Sequence, residues 1–298
     1  MIEQLQLTTL RQLTTSVSLA RNAAGMEFLV VKRLESEAII SLFGAHVVHF
    51  APAGDKPWLW LSKDAIFDAS RGIRGGIPLC WPWFGPAPER VGAGKPQHGF
   101  ARTMTWQLDG INDLQDATLL HLSLRANDAS RAIWPHDFTL ELDIRIGDEL
   151  TLLLNSINTD TSSWRYSGAL HTYFETAATE QVHIEGIGAV YADKLQQGKQ
   201  CEETAFALTG PVDRVYLHPL SQVQLNTGLT DLQLDNHNAD SIVVWNPWQH
   251  GAAGMADFDN EGWQTMICVE TAITAAEGVE VAPDEQHLLG VTIKRKSL

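Results

Sequence analysis

Period-two alternation recurs along most of this chain and helical periodicity almost nowhere, which confines it to sheet-built folds. Phe138–Ile146 (FTLELDIRI) is the clearest case. Phe138, Leu140, Leu142, Ile144 and Ile146 fall on one face of a strand, and Thr139, Glu141, Asp143 and Arg145 on the other. Leu119–Arg125, Glu149–Asn155, Trp263–Glu270 and His287–Lys294 repeat the pattern or form short apolar runs. Turn-formers separate them, among them Asn127-Asp128, Gly147-Asp148, Asn158-Thr159 and Pro283-Asp284. The best helical candidate is a short one near Ala252–Asp259. Many consecutive strands with few short helices predict a mainly β chain folded as a large antiparallel β-sandwich. No repeat, low-complexity tract or linker divides residues 1–298, so one domain is expected.

At 298 residues and 44% hydrophobic composition, such a sandwich can build its core without metal or disulfide staples. No apolar run follows a basic stretch at the N-terminus, and none approaches the ~18 residues of a membrane span. Neither a signal peptide nor a membrane partner is expected. Cys80, Cys201 and Cys268 are scattered, odd in number and outside any CxxC pair. That argues against a zinc cage and for a reducing, cytoplasmic setting. The formal net charge of −15 argues against nucleic acid as a partner. Charge is unevenly spread, however. From Arg71 to Arg102 the chain carries Arg71, Arg74, Arg90, Lys95 and Arg102 against Glu89 alone, a balance of +4 over 32 residues. One cationic window in an acidic chain suits a small anionic ligand; a solvated charged loop is the plainer alternative.

Within that window, Gly72–Pro96 holds six glycines and five prolines in 25 residues. Loops this long inside a compact fold are uncommon and usually functional or disordered. Ile77, Leu79, Trp81, Trp83 and Phe84 argue against disorder, so a binding loop is expected. Gly75-Gly76 after Arg74 lets backbone approach a ligand closely. Arginine presents a planar fork that matches phosphate oxygens. Trp81 and Trp83 either stack on a sugar face or cover the core. A nucleotide P-loop is a poor fit to Gly92-Ala93-Gly94-Lys95: Glu89 replaces the first glycine of that motif, and Pro96 the Ser or Thr that would hold magnesium.

Two ionisable residues lie on expected strands. His171 in YSGALHTYF (166–174) shares a face with Ser167, Ala169 and Tyr173, a setting in which histidine is more often a satisfied core residue. Glu270 closes WQTMICVE (263–270) on the face of Met266 and Cys268. There desolvation would raise its pKa and make it a candidate base. Asp213, in PVDRVY (211–216), either accepts hydrogen bonds from sugar hydroxyls or sits in a surface turn. His46 and His49 have a ligand-like spacing. On one strand spanning Ala38–Phe50 they would point to opposite faces and could not share an ion, so no metal is expected.

Taken in order, IRGGIPLCWPWFG (73–85), QHGFAR (97–102), ALHTYF (169–174), VDRVY (212–216), VVWNPW (243–248) and CVE (268–270) resemble the aldose 1-epimerase, or galactose mutarotase-like, superfamily. The resemblance is to its glucose-6-phosphate 1-epimerase branch. It covers nearly the whole chain after about Met26 and leaves residues 1–25 as a peripheral segment. It implies a β-sandwich with the sugar on a concave sheet face, His171 as general acid and Glu270 as general base. It also implies Asp213 as a sugar-hydroxyl ligand, Gln97 and His98 in the same pocket, and Arg74 and Arg102 on the phosphate. Lys95 matches more loosely. The expected enzyme is a monomeric mutarotase of hexose 6-phosphates that needs no cofactor, because no electron or group leaves the substrate. Three alternatives remain open at this point: an epimerase of unphosphorylated hexoses, a non-catalytic sugar-phosphate-binding sandwich, and a glycoside hydrolase pairing Asp213 with Glu270.

Overall fold

The computed structural model describes residues 3–275 and 278–296, and strands dominate among them as the alternation predicts. Thr8–Gln12, Val17–Arg21, Glu27–Lys32, Ser36–Ser41 and His46–Pro52 form an antiparallel five-stranded meander in chain order. The first 25 residues supply its first two strands and bury Leu5 and Val17. An eight-stranded sheet runs in spatial order His183–Glu185, Gln222–Asn226, Asp231–His237, Gln286–Arg295, Leu150–Asn158, Phe138–Ile146, Thr118–Arg125 and Gln107–Asp113. A second eight-stranded sheet runs Lys199–Glu202, Val190–Asp193, Val212–Leu217, Ser241–Asn246, Met266–Ile273, Gly168–Leu170 and Leu79–Cys80, with Tyr173–Glu175 also paired to Met266–Ile273. All of these pairings are antiparallel, giving the large antiparallel sandwich that the alternation predicts. Among the described residues no helix is long and apolar enough to cross a membrane.

The second sheet has two differently used faces. Ile242, Val244, Ile267, Val269 and Ile273 belong to the main core, together with Leu140, Leu142, Ile144 and Val291 of the other eight-stranded sheet. Alternate residues along the same strands turn outward: Val215, Val243 and Ala272 pack in one small cluster, Met266 and Cys268 in another. Period-two geometry makes both faces follow from one register. The inner face is apolar and holds the sandwich together. The outer face is available for chemistry.

Several expected elements move. The helix lies at Trp248–Ala253 rather than Ala252–Asp259, because Asn246 Oδ1 accepts the Trp248 amide at 2.8 Å and Gly254 caps the end. A second helix, Asp128–Ile133, occupies the expected turn at Asn127-Asp128; Asn127 and Ser130 cap it reciprocally. Gly262–Thr265 is a 3-10 turn, and the strand that follows runs through Glu270 to Ile273. Ala38–Phe50 is two strands, not one. A register shift pairs Ser41 with His46 but Ile39 with His49, so the bulge puts both rings on one face. They serve different partners there: His46 Nε2 meets Gly75 O at 2.7 Å, and His49 Nε2 meets Glu37 Oε1 at 3.0 Å.

The glycine pair after Arg74 is required sterically. Gly76 has φ +61°, and a Cβ there would lie 2.2 Å from Val47 O. Its amide donates to Trp60 O and its carbonyl accepts from Tyr173 N, so it ties three segments together. Gly76→Ala should cost about 3 kcal/mol in urea unfolding. Gly54→Ala, at φ +75° with nothing within 4 Å, should cost only about 1 kcal/mol. Equal losses would contradict this reading.

Candidate active site

A cavity of about 290 Å³ opens on the outer face of the second eight-stranded sheet, and Arg74, Gln97, His98, Arg102, His171, Asp213 and Glu270 all line it. Strand register brings them together. Asp213 stands opposite Trp245 and Val243 opposite Glu270, which sets these residues on neighbouring strands of the outer face. The short strands on either side of His171 both pair with Met266–Ile273, Leu170 facing Thr271 and Tyr173 facing Cys268. That register leaves His171 opposite Glu270. Asp213 is therefore within a strand rather than in a surface turn.

His171 Nε2 lies 3.4 Å from Glu270 Oε1, and the two residues are 7% and 1% exposed. This is longer than the ~2.7–2.9 Å of a well-formed charge-assisted hydrogen bond. The His171 ring stacks on Tyr173 at 4.8 Å, nearly parallel, and Tyr173 stacks in turn on Trp60. The His171 amide donates to Pro78 O. Ring and backbone are thus both fixed. His171 Nδ1 and Glu270 Oε2 are buried with no hydrogen-bond partner among the described residues. Of the twelve buried side-chain atoms without a partner among the described residues, four belong to residues that line this cavity: Arg74, Arg102, His171 and Glu270.

Burial pushes the Glu270 carboxyl well above the ordinary carboxylate range, and nearby Asp213 pushes it further. Burial depresses His171 well below the ordinary histidine value, with His98, Arg102 and Arg74 adding to the effect. Burial therefore favours a protonated carboxyl beside a neutral imidazole. That state holds the same single proton as carboxylate plus imidazolium; the two differ only in which group carries it. His98 is held neutral, its pKa pushed down to about 3 by burial and then by Arg102. His98 Nδ1 accepts the Gly85 amide at 3.2 Å, so the proton resides on Nε2.

The arginines differ in their commitments. Arg74 donates from Nη1 to Tyr173 Oη at 3.1 Å and from Nη2 to both carboxylate oxygens of Asp257, at 3.3 and 3.4 Å. Arg102 donates from Nη2 to Gln97 O at 2.9 Å and pairs with no carboxylate among the described residues. Lys95 lies outside the cavity lining and donates to Ala132 O. Trp81 and Trp83 are fully buried core residues, and Trp83 Nε1 donates to Pro96 O. The aromatic rings that do reach the cavity are Phe84, Tyr173 and Trp245. Lys194, which the motifs do not flag, also lines it. Its only sequence cue is the charge itself, since it lies on the turn connecting Val190–Asp193 to the edge strand Lys199–Glu202. Among the described residues one group could ligate a metal: His171, Cys268 and Glu270, whose donor atoms lie within 4.8 Å of one another. Burial holds the Cys268 thiol well above its ordinary pKa, in its protonated form.

The family model described as aldose 1-epimerase matches residues 28–294. A relative from Salmonella typhimurium, named "Putative glucose-6-phosphate 1-epimerase", is 33% identical over 91% of this chain and 90% of its own. A relative of the same name from Escherichia coli is 33% identical over 90% of each. Among solved structures, one described as "a putative mutarotase" from Salmonella typhimurium superposes with a TM-score of 0.92 at 30% identity, covering 99% of both chains.

The Glu270 environment predicts a pH-dependent stability. The folded chain keeps a proton that the unfolded chain releases near ~4.3. Stability linked to this group is complete below that pH and declines as pH rises toward the folded value. Glu270→Gln cannot ionise. In urea unfolding between about pH 4.5 and 8 its stability relative to wild type should grow with pH, by up to ~1.4 kcal/mol per unit. A difference that stays constant with pH would contradict this.

Proposed function

The chain belongs to the aldose 1-epimerase family and is an isomerase acting on a small sugar; from that premise we propose that it interconverts the α and β anomers of a hexose 6-phosphate, glucose 6-phosphate being the first candidate. The observation that carries this reading is the His171–Glu270 pair, 3.4 Å apart and buried in a cavity whose lining includes Arg74 and Arg102. The names of the curated relatives support the choice of sugar.

Ring opening removes a proton from the C1 hydroxyl, breaks the C1–ring oxygen bond and delivers a proton to the ring oxygen. Rotation about C1–C2 turns the other face of the aldehyde toward that oxygen, and closure runs the proton transfers in reverse. Glu270 takes the first proton as carboxylate and His171 gives the second as imidazolium. The neutral pair reaches this state by moving its one proton across the 3.4 Å gap. An incoming phosphate dianion favours the imidazolium, since an opposite charge nearby stabilises the charged form. Asp213 accepts from sugar hydroxyls. The neutral imidazole of His98 donates from Nε2. Trp245 and Phe84 supply the apolar walls that Trp81 and Trp83 do not. Arg74 and Arg102 hold the phosphate, so binding far from C1 fixes the reacting centre against Glu270. The scattered free cysteines suit a reducing, cytoplasmic setting.

Anomeric exchange measured by NMR on glucose, galactose and glucose 6-phosphate tests the proposal. Wild type should accelerate exchange of the phosphorylated sugar most. Glu270→Gln and His171→Asn should each lose ~10²–10⁴-fold in kcat. Full activity in either variant, or acceleration of none of the sugars by wild type, would overturn the acid/base reading.

A further inference from the structure

Arg74 enters the cavity with its charge already answered, because its guanidinium faces both oxygens of the Asp257 carboxylate. It offers hydrogen-bond donors but little net field to an anionic ligand. Two cations lining the cavity have no carboxylate within ion-pair distance among the described residues, Arg102 and Lys194. Lys194 has further features of a ligand-binding group. Its Nζ lies 4.8 Å from the centroid of the Phe84 ring, a cation–π seat that holds an ammonium without neutralising it. A Cβ at Gly85 would be only 3.7 Å from that nitrogen, so the lysine reaches across to the loop that closes the other side of the cavity. Its mount is fixed. Asp193 caps the short turn Lys194–Gln196, accepting from the Leu195 amide at 2.9 Å and from Gln196 Nε2 at 2.8 Å.

Resting on the phosphate reading above, we propose that Lys194 is a ligand for the anionic group of the substrate, acting with Arg102, and that it sets the preference for phosphorylated over neutral sugars. An ammonium held over an aromatic ring keeps its three donors for a ligand. An exposed side chain at the cavity rim can move onto a phosphate as it enters, and Arg102 supplies the planar fork from the opposite loop. The anion is recognised by charge and by hydrogen bonds to oxygen, the chemistry of a phosphate monoester.

The test compares kcat/KM for glucose 6-phosphate and for glucose in wild type, Lys194→Met and Lys194→Arg, each first shown to unfold at the wild-type denaturant midpoint. Lys194→Met should lose about ten- to a hundredfold on the phosphorylated sugar, mostly through KM, with a much smaller loss on glucose. Lys194→Arg should recover most of the loss, and raised salt should narrow the gap between wild type and Lys194→Met. If wild type prefers the phosphate and Lys194→Met keeps that preference, the role assigned to Lys194 is wrong while the phosphate reading stands. Equal losses on both sugars would also overturn it, as the mark of a purely structural residue. A wild type with no preference would remove the phosphate reading itself.

Discussion

A carboxyl group and an imidazole 3.4 Å apart, both withdrawn from water, determine what the rest of the cavity must provide. Neither group is comfortable charged in that place. Burial lifts the one and depresses the other until their ordinary order of acidity is challenged. Two adjacent groups that hold one proton between them suit a reaction that removes a proton at one oxygen and supplies one at another. The same burial weakens the fold whenever the carboxylate forms, so stability is exchanged here for reactivity.

The sandwich makes such a pair possible by separating the uses of its two sheet faces. Ile267, Val269 and Ile273 anchor one strand in the main core, while Cys268 and Glu270 on the same strand face outward. Because alternate residues are fixed in opposite directions, the carboxyl cannot escape to solvent without dislodging the core. His171 is restrained differently. Its strand is interrupted there, and the ring is held by stacking on Tyr173, which Trp60 supports from beneath. Arg74, bonded to Tyr173 and Asp257, fastens that stack from the side. The glycine pair that follows Arg74 lets this loop lie against Val47 and Trp60 without a side-chain clash.

Much of this is legible in the amino-acid sequence. Phe138–Ile146 is a strand with the residue limits its alternation implies, because a half-buried strand writes its burial directly into the residue pattern. His171 and Glu270 stand on strands that the sequence pattern marks, Asp213 is singled out only by the ordered motifs of the resemblance, and the cavity holds all three. What was not legible depends on contacts between distant segments. Trp81 and Trp83 looked like possible sugar platforms, but ring packing against Phe138, Trp134 and Phe100 makes them core. Lys95 belongs to the cationic window yet serves the Ala132 carbonyl. Lys194 lies far outside that window and reaches the cavity because a short capped turn delivers it. The bulge at His46–His49 shifts register by one residue, which no local pattern announces.

In the proposed mechanism His171 and Glu270 work as one unit across the cavity rather than as two independent contributors. A double-mutant cycle in anomer-exchange kinetics measures this directly, using His171→Asn, Glu270→Gln and the combined variant on glucose 6-phosphate. Either single change should remove nearly all that the double change removes, because a proton relay fails when one end is missing. Losses that multiply, each substitution subtracting its own independent share, would contradict it.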